Sequence, residues 1–224
     1  MSTAATCLEV RALEDARGAT VRASFERIFA RQGLPGAIRS DNGSPFASVQ
    51  GLFGLSRLSA WWVALGIDLE RGRPGHPQDN GAHERMHRDM AWELEAFGQS
   101  DQAALDLWRH SFNHERPHEA LAMRCPGELY HASERKDEGT PHDLEYAQMS
   151  PRRVCAKGTI KVEGQRLFLS TSLAGWSVGL KPLAGDLLEV WFGRLLLGQI
   201  DLSTSSFIRA DIRPNKAADQ TTKV

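Results

Sequence analysis

Residues 37–46 read AIRSDNGSPF. Ala37 to Ser40 is a short extended run, and the turn formers Asp41-Asn42-Gly43 stop it, so the Asp41 carboxylate projects from the C-terminal end of a strand. In α/β sheets that end is where chemistry is kept. Upstream, GATVRASFERIFARQG places Val21, Phe25, Ile28 and Phe29 on one helical face and closes at Gly33 ahead of Pro35. TCLEVRAL before it, Thr6 to Leu13, reads as a further strand. Downstream, Leu55 to Leu65 reads as a helix carrying Trp61 and Trp62, and Ile67 to Arg71 as a strand. Strands alternating with helices predict an α/β core.

The next stretch, GRPGHPQDNGAHERMHRDM (72–90), passes from a loop dense in turn formers into a third helix. Asp79 or Asn80 can cap it, and AHERMHRDMAWELEAF sets Met86, Met90, Leu94 and Phe97 on one stripe, with Glu84 in the first turn. Ser100 is expected to cap a fourth helix with Leu105, Trp108 and Phe112 inward, running out before Pro117. From Met123 to Arg152 the chain is polar, contains Pro126, Pro141 and Pro151, and reads as a linker with one short helix near Pro126 to Tyr130. Thr159–Val162 and Arg166–Leu169 flank a turn at Gly164, and Leu187–Phe192 and Leu195–Asp201 flank Gly193-Arg194, giving two hairpins. With Trp176 to Leu180 they predict a small antiparallel barrel of five strands ending near Ala210. The division expected is a core over 1–122, a linker over 123–152, a barrel over 153–212, and a polar, disordered tail over 213–224.

The formal net charge is -1 and 41% of the residues are hydrophobic, an ordinary soluble composition. No apolar run approaches the roughly 18 residues of a membrane span, and the N-terminus has no signal pattern, so the cytoplasm is the default compartment. Residues 1–150 hold 16 Lys or Arg against 22 Asp or Glu, whereas 151–213 hold nine against five. The basic surplus therefore sits near Arg152, Arg153, Lys157, Lys161 and Arg166, where a polyanion would find it. Cys7, Cys125 and Cys155 lie far apart with no metal-ligand spacing, and read as buried thiols.

Asp41 ends a strand and Glu84 opens a helix, with 42 residues between them. Phosphodiester chemistry with two Mg²⁺ ions needs hard oxygen ligands from separate elements that can converge, the ions lying about 4 Å apart. Taken singly, Asp41 is also an Asx-turn residue and Glu84 a first-turn acid favoured by the helix dipole. Their company decides between these readings. AIRSDNGSPF, GRPGHPQDNGAHERMHRDM and FNHERPHEAL (112–121), in this order, together resemble the retroviral-integrase-like core of bacterial insertion-sequence transposases. In that family the second catalytic Asp lies in an SDNG-type turn and the Glu in a P-x-x-N-G-x-x-E-R helix start.

The resemblance implies a ribonuclease H-like core, with Asp41 and Glu84 as catalytic and metal-holding residues for Mg²⁺ or Mn²⁺. It also implies DNA, both element ends and target, as partner, and association with another copy or with a full-length transposase. Asn80 could contact a phosphate or orient Glu84, or simply cap the helix; Arg85 and Arg88 could meet DNA phosphates, or Arg88 could pair with Glu84. His83 and His87 form an H-x-x-x-H pair that reads as a solvated face. The segment after Arg153 is similar to the small C-terminal DNA-binding barrel of such enzymes.

The chain departs from the family in lacking the first catalytic Asp, whose strand would stand two strands before Cys7 to Leu13. Asp15 lies nearby but reads as a turn or helix-start residue. The expectation is a transposase core without its first strands, inactive alone. The alternatives are a DNA-binding or oligomerising remnant, or a core whose unpaired strand edges leave it unstable.

Overall fold

The computed structural model describes residues 6–72, 81–96, 98 and 101–210. They fall into two compact units interleaved along the chain, one drawn from Met1–Asp41 and Glu70–Glu138, the other from Asn42–Leu69 and Gly139–Val224.

The first unit contains α1 (Gly18–Gln32), β1 (Ala37–Ser40), α3 (Gly81–Ala96), α4 (Gln102–His114) and α5 (Pro126–Leu129). α1 buries Val21 and Phe29, two of the four positions read as its inner face, with Phe25 and Ile28 half-buried. Asp15 stands at its start: one carboxylate oxygen accepts from the Arg17 N–H at 2.9 Å and from the Thr20 hydroxyl at 2.7 Å. The helix stops at Gly33, φ 74°, where a Cβ would come within 2.6 Å of the Ser133 carbonyl oxygen. That approach lets the Ser133 N–H reach Gln32 O at 2.8 Å and the Leu34 N–H reach Arg135 O at 2.7 Å.

Two expectations in this unit are corrected. α4 is capped by Asp101, whose carboxylate accepts from the Ala104 N–H at 2.9 Å; the expected cap, Ser100, lies outside the described residues. No strand forms over Thr6 to Leu13. Backbone polar groups must be bonded somewhere, and here side chains of α4 bond them. Asn113 pairs with both the N–H and the carbonyl of Cys7, Gln102 with the Val10 carbonyl and the Ala12 N–H, and Arg109 with the Leu8 carbonyl. Hydrophobic alternation in TCLEVRAL gave no sign that these partners would be side chains of a helix.

The second unit holds α2 (Arg57–Ala64) and seven strands: β3 (Ser150–Arg153), β4 (Thr159–Val162), β5 (Gln165–Phe168), β6 (Ser177–Pro182), β7 (Leu187–Phe192), β8 (Leu195–Asp201) and β9 (Ser206–Arg209). Ser56 and Ser59 cap α2 reciprocally. Leu52, Leu55, Ala60 and Ala64 join Ile160, Leu173, Val178, Phe192, Leu197 and Ile200 in one buried cluster, so α2 is part of this core.

Both predicted hairpins form, with Ile160, Val162 and Leu167 inward and Lys161, Arg166 and Phe168 outward. The single five-stranded barrel does not: β3-β6-β7-β8-β9 make one antiparallel sheet and β4-β5 a separate pair. The unread strands are β3, exposed throughout and carrying Pro151, and the four-residue β9; neither shows an apolar alternation. β2 (Asp68–Arg71) pairs with β1, and the boundary between units falls inside β2. The expected tail over 213–224 lies outside the described residues, as does Phe97 of the α3 stripe. No described helix is long and apolar enough to cross a membrane.

Candidate functional site

Asp41 directly follows β1, and its side chain is exposed. β2 supplies what stands around it. Arg39 reaches the Glu70 carboxylate at 2.9 Å, and Arg71 donates to the Ser40 hydroxyl at 3.2 Å and to the Asp41 carbonyl at 3.3 Å. Burial lowers the pKa of Arg71 while the Asp41 charge opposes that shift, so a half-buried guanidinium faces the acidic turn. Sequence reasoning passed over Arg71. The alternation of β2 offered a signal, because Arg71 shares its less exposed face with Leu69, and a cation there calls for an anionic neighbour.

Glu84 is exposed in the first turn of α3, as the sequence placed it. Arg85 and Arg88 are also exposed, and among the described residues neither pairs with Glu84. His83 and His87 are in contact, Nε2 to Nε2 at 3.1 Å, and burial followed by the neighbouring His87 lowers the His83 pKa. Asn80 lies outside the described residues. Asp41 and Glu84 thus belong to one unit and are hard oxygen donors of the type Mg²⁺ or Mn²⁺ takes. Among the described residues, however, no group of three or more His, Cys, Asp or Glu gathers to hold a metal ion. The donor chemistry fits, but the described donor set is incomplete.

In the third motif, 112–121, the structure assigns internal bonds. Asn113 is buried against Cys7, and Arg116 grips Glu93 of α3 with two bonds, 2.6 and 2.5 Å, while lying 5.8 Å from the centre of the Trp108 ring.

The basic residues of the second unit divide. Lys161 and Arg166 stand directly opposite each other in the β4–β5 ladder, both exposed. Arg152 and Lys157 are exposed, whereas Arg153 is bound to the Asp143 carboxylate at 2.8 Å. Burial opposes ionisation of Asp143, but bonds from Ser177, the Leu144 N–H and Arg153 outweigh it and lower its pKa. Of the three thiols read as buried, Cys155 is exposed, because it lies just past Val154 where the chain leaves β3.

Comparison with known proteins gives first a class: residues 65–126, which include Glu84 and the whole third motif, match the family model described as the Integrase core domain. A particular relative is the Insertion element IS407 uncharacterized 31.7 kDa protein of Burkholderia multivorans (strain ATCC 17616 / 249). It is 29% identical over 117 residues, covering 50% of this chain and 40% of that protein, so the chain spans about two fifths of the relative it matches. These matches support what the motifs resemble, an integrase-like transposase of an insertion sequence. Among solved structures, the catalytic core domain of BIV integrase aligns at a TM-score of 0.43 with 27% identity, over 55% of this chain and 76% of that one. A simian T-cell lymphotropic virus intasome in complex with PP2A regulatory subunit B56 gamma aligns at 0.43 with 18% identity, over 82% of this chain and 64% of that one. At that TM-score neither overlay carries weight.

Proposed function

We propose that this chain serves DNA transposition as a core segment of an integrase-like transposase, contributing Asp41 and Glu84 to a ribonuclease H-like catalytic centre. The supporting observation is that the Integrase core domain match contains Glu84 in its helix-start motif, while Asp41 directly follows the strand that pairs with β2. Asp41 and Glu84 would hold the divalent cation. Such an ion activates the attacking oxygen and stabilises the leaving oxygen of a phosphodiester. Asn80, Arg85 and Arg88 would bind DNA beside this centre, and Arg152, Arg153, Lys157, Lys161 and Arg166 would bind it through the second unit.

Two carboxylates leave such a centre short of ligands, so the chain by itself is expected to give no strand transfer with Mg²⁺ or Mn²⁺ and DNA carrying the element's ends. Mixing it with a longer transposase whose own Glu has been changed to Gln restores product if the chains associate and complement. Asp41→Asn or Glu84→Gln in this chain should then abolish that product. Restored activity indifferent to both substitutions sinks the assignment; metal-dependent product from the chain alone, lost with either substitution, would reveal a third ligand within it.

A further inference from the structure

The two sheets of the second unit leave an unclosed seam between β5 and β9, and along it lies a cavity of about 350 Å³. That size is within the roughly 300–1,000 Å³ typical of small-molecule sites. Leu52, only 1% exposed, lines it together with the buried Leu167 and Leu169; Arg166 and Phe168 come from β5, and Phe207 and Arg209 from β9.

Three features make the cleft more than a packing defect. Phe168 is 58% exposed, a phenyl ring on the outward face of the hairpin that also carries Lys161 and Arg166. Lys161 and Arg166 are opposed in register, an unfavourable like-charge pair when nothing lies between them. Among the described residues neither of them, nor Arg209, takes part in an ion pair. The Phe207 ring is held by close packing: a Cβ on Gly198 would lie 2.2 Å from the Ile208 carbonyl oxygen and 2.9 Å from that ring.

We propose that this cleft binds one unstacked nucleobase with its adjoining phosphates, so that the second unit prefers single-stranded DNA to duplex. The inference rests on the reading of DNA as the partner and adds the form of DNA. A free anion would use the cations but not the exposed phenyl face. A nucleobase stacks on such a face while Arg166, Arg209 and Lys161 neutralise the flanking phosphates. Bases within a duplex are stacked on one another and cannot enter.

The test uses the full chain and a labelled oligonucleotide of about 16 nucleotides, single-stranded or as a blunt duplex, at low salt with fluorescence anisotropy as readout. The single strand is expected to bind about tenfold more tightly, the order of one base–aromatic stack. Phe168→Ala and Phe168→Leu should both remove that preference while leaving duplex binding within about twofold, and Phe168→Trp should retain it. Because Phe168 is exposed, these changes leave the core intact. Arg166→Ala and Arg209→Ala should weaken both forms. Equal affinity for the two forms, or a Phe168→Leu variant that keeps the preference, overturns the proposal while leaving DNA as the partner; absence of binding to either form overturns both.

Discussion

Asn113 behaves as a peptide group in side-chain form: its amide oxygen accepts from the Cys7 N–H at 2.9 Å and its amide nitrogen donates to the Cys7 carbonyl at 2.8 Å. At 5% exposure it has little access to replacement water. Asn113→Ala leaves two buried backbone groups unpaired, and an expected loss of about 2 kcal/mol follows. Asn113→Asp keeps the acceptor but turns a carboxylate oxygen toward the Cys7 carbonyl, so it should cost at least as much at neutral pH. Urea unfolding checks both, and two unchanged midpoints would show that the pairing contributes nothing. The residue scale also separates what could be read from what could not. Asp41 was legible because its turn chemistry is local, and Glu84 because a helix start has local signals. Asn113 and Arg116 were legible only as parts of a motif, since their partners Cys7 and Glu93 lie 106 and 23 residues away and no spacing rule connects them.

At the scale of elements, α3 carries Glu84 yet is lightly held, for Met86, Met90 and Leu94 are only half-buried and none of its described side chains is fully buried. The Arg116–Glu93 clamp to the segment after α4 is its strongest visible tie. Bonding to Arg116, opposed by partial burial, holds the Glu93 carboxyl below its usual range. A depressed carboxylate contributes stability that is complete above the unfolded value, about 4.3, and is lost as pH falls through the lower folded value. Glu93→Gln should therefore lower stability at neutral pH by about 1 kcal/mol, allowing for an Arg116 side chain 36% exposed. The difference from the parent should shrink below about pH 4.3. Parallel urea midpoints from pH 3 to 7, with a constant gap between parent and variant, would show that the clamp does not titrate. Helices α1 and α3 were legible because an apolar stripe repeats along them. Such a stripe tells that a face is covered but not by what, which is why the packing of Ala60 and Ala64 of α2 among the C-terminal strands was not foreseen.

For the whole molecule, electrostatics depends on which charges are already engaged, because a near-neutral chain can attract DNA only through cations that its own carboxylates leave available. Arg152 and Arg153 are adjacent on β3 and looked equivalent in sequence, but their side chains are committed differently. Arg152 bonds the carbonyl of Pro151 beside it, leaving its charge unneutralised, whereas Arg153 is paired with Asp143, which also accepts from the Ser177 N–H and hydroxyl. On the proposed reading, Arg152→Ala should reduce the salt slope of duplex binding by about 0.9, the value of one lost phosphate contact, with no change in melting temperature. Arg153→Ala should do the reverse. It removes a charge that Asp143 already offsets, so the slope should change less, and it frees Asp143 from β3 while the Ser177 bonds keep it on β6, lowering stability by about 0.5–1 kcal/mol for a pair whose Arg153 side chain is 52% exposed. Affinities measured from low to moderate salt, beside thermal melts of each variant, separate the two effects. Equal slope changes for both would mean that DNA displaces Asp143 from Arg153; no slope change for either would remove β3 from the proposed contact and leave the phosphates to Lys157, Lys161 and Arg166.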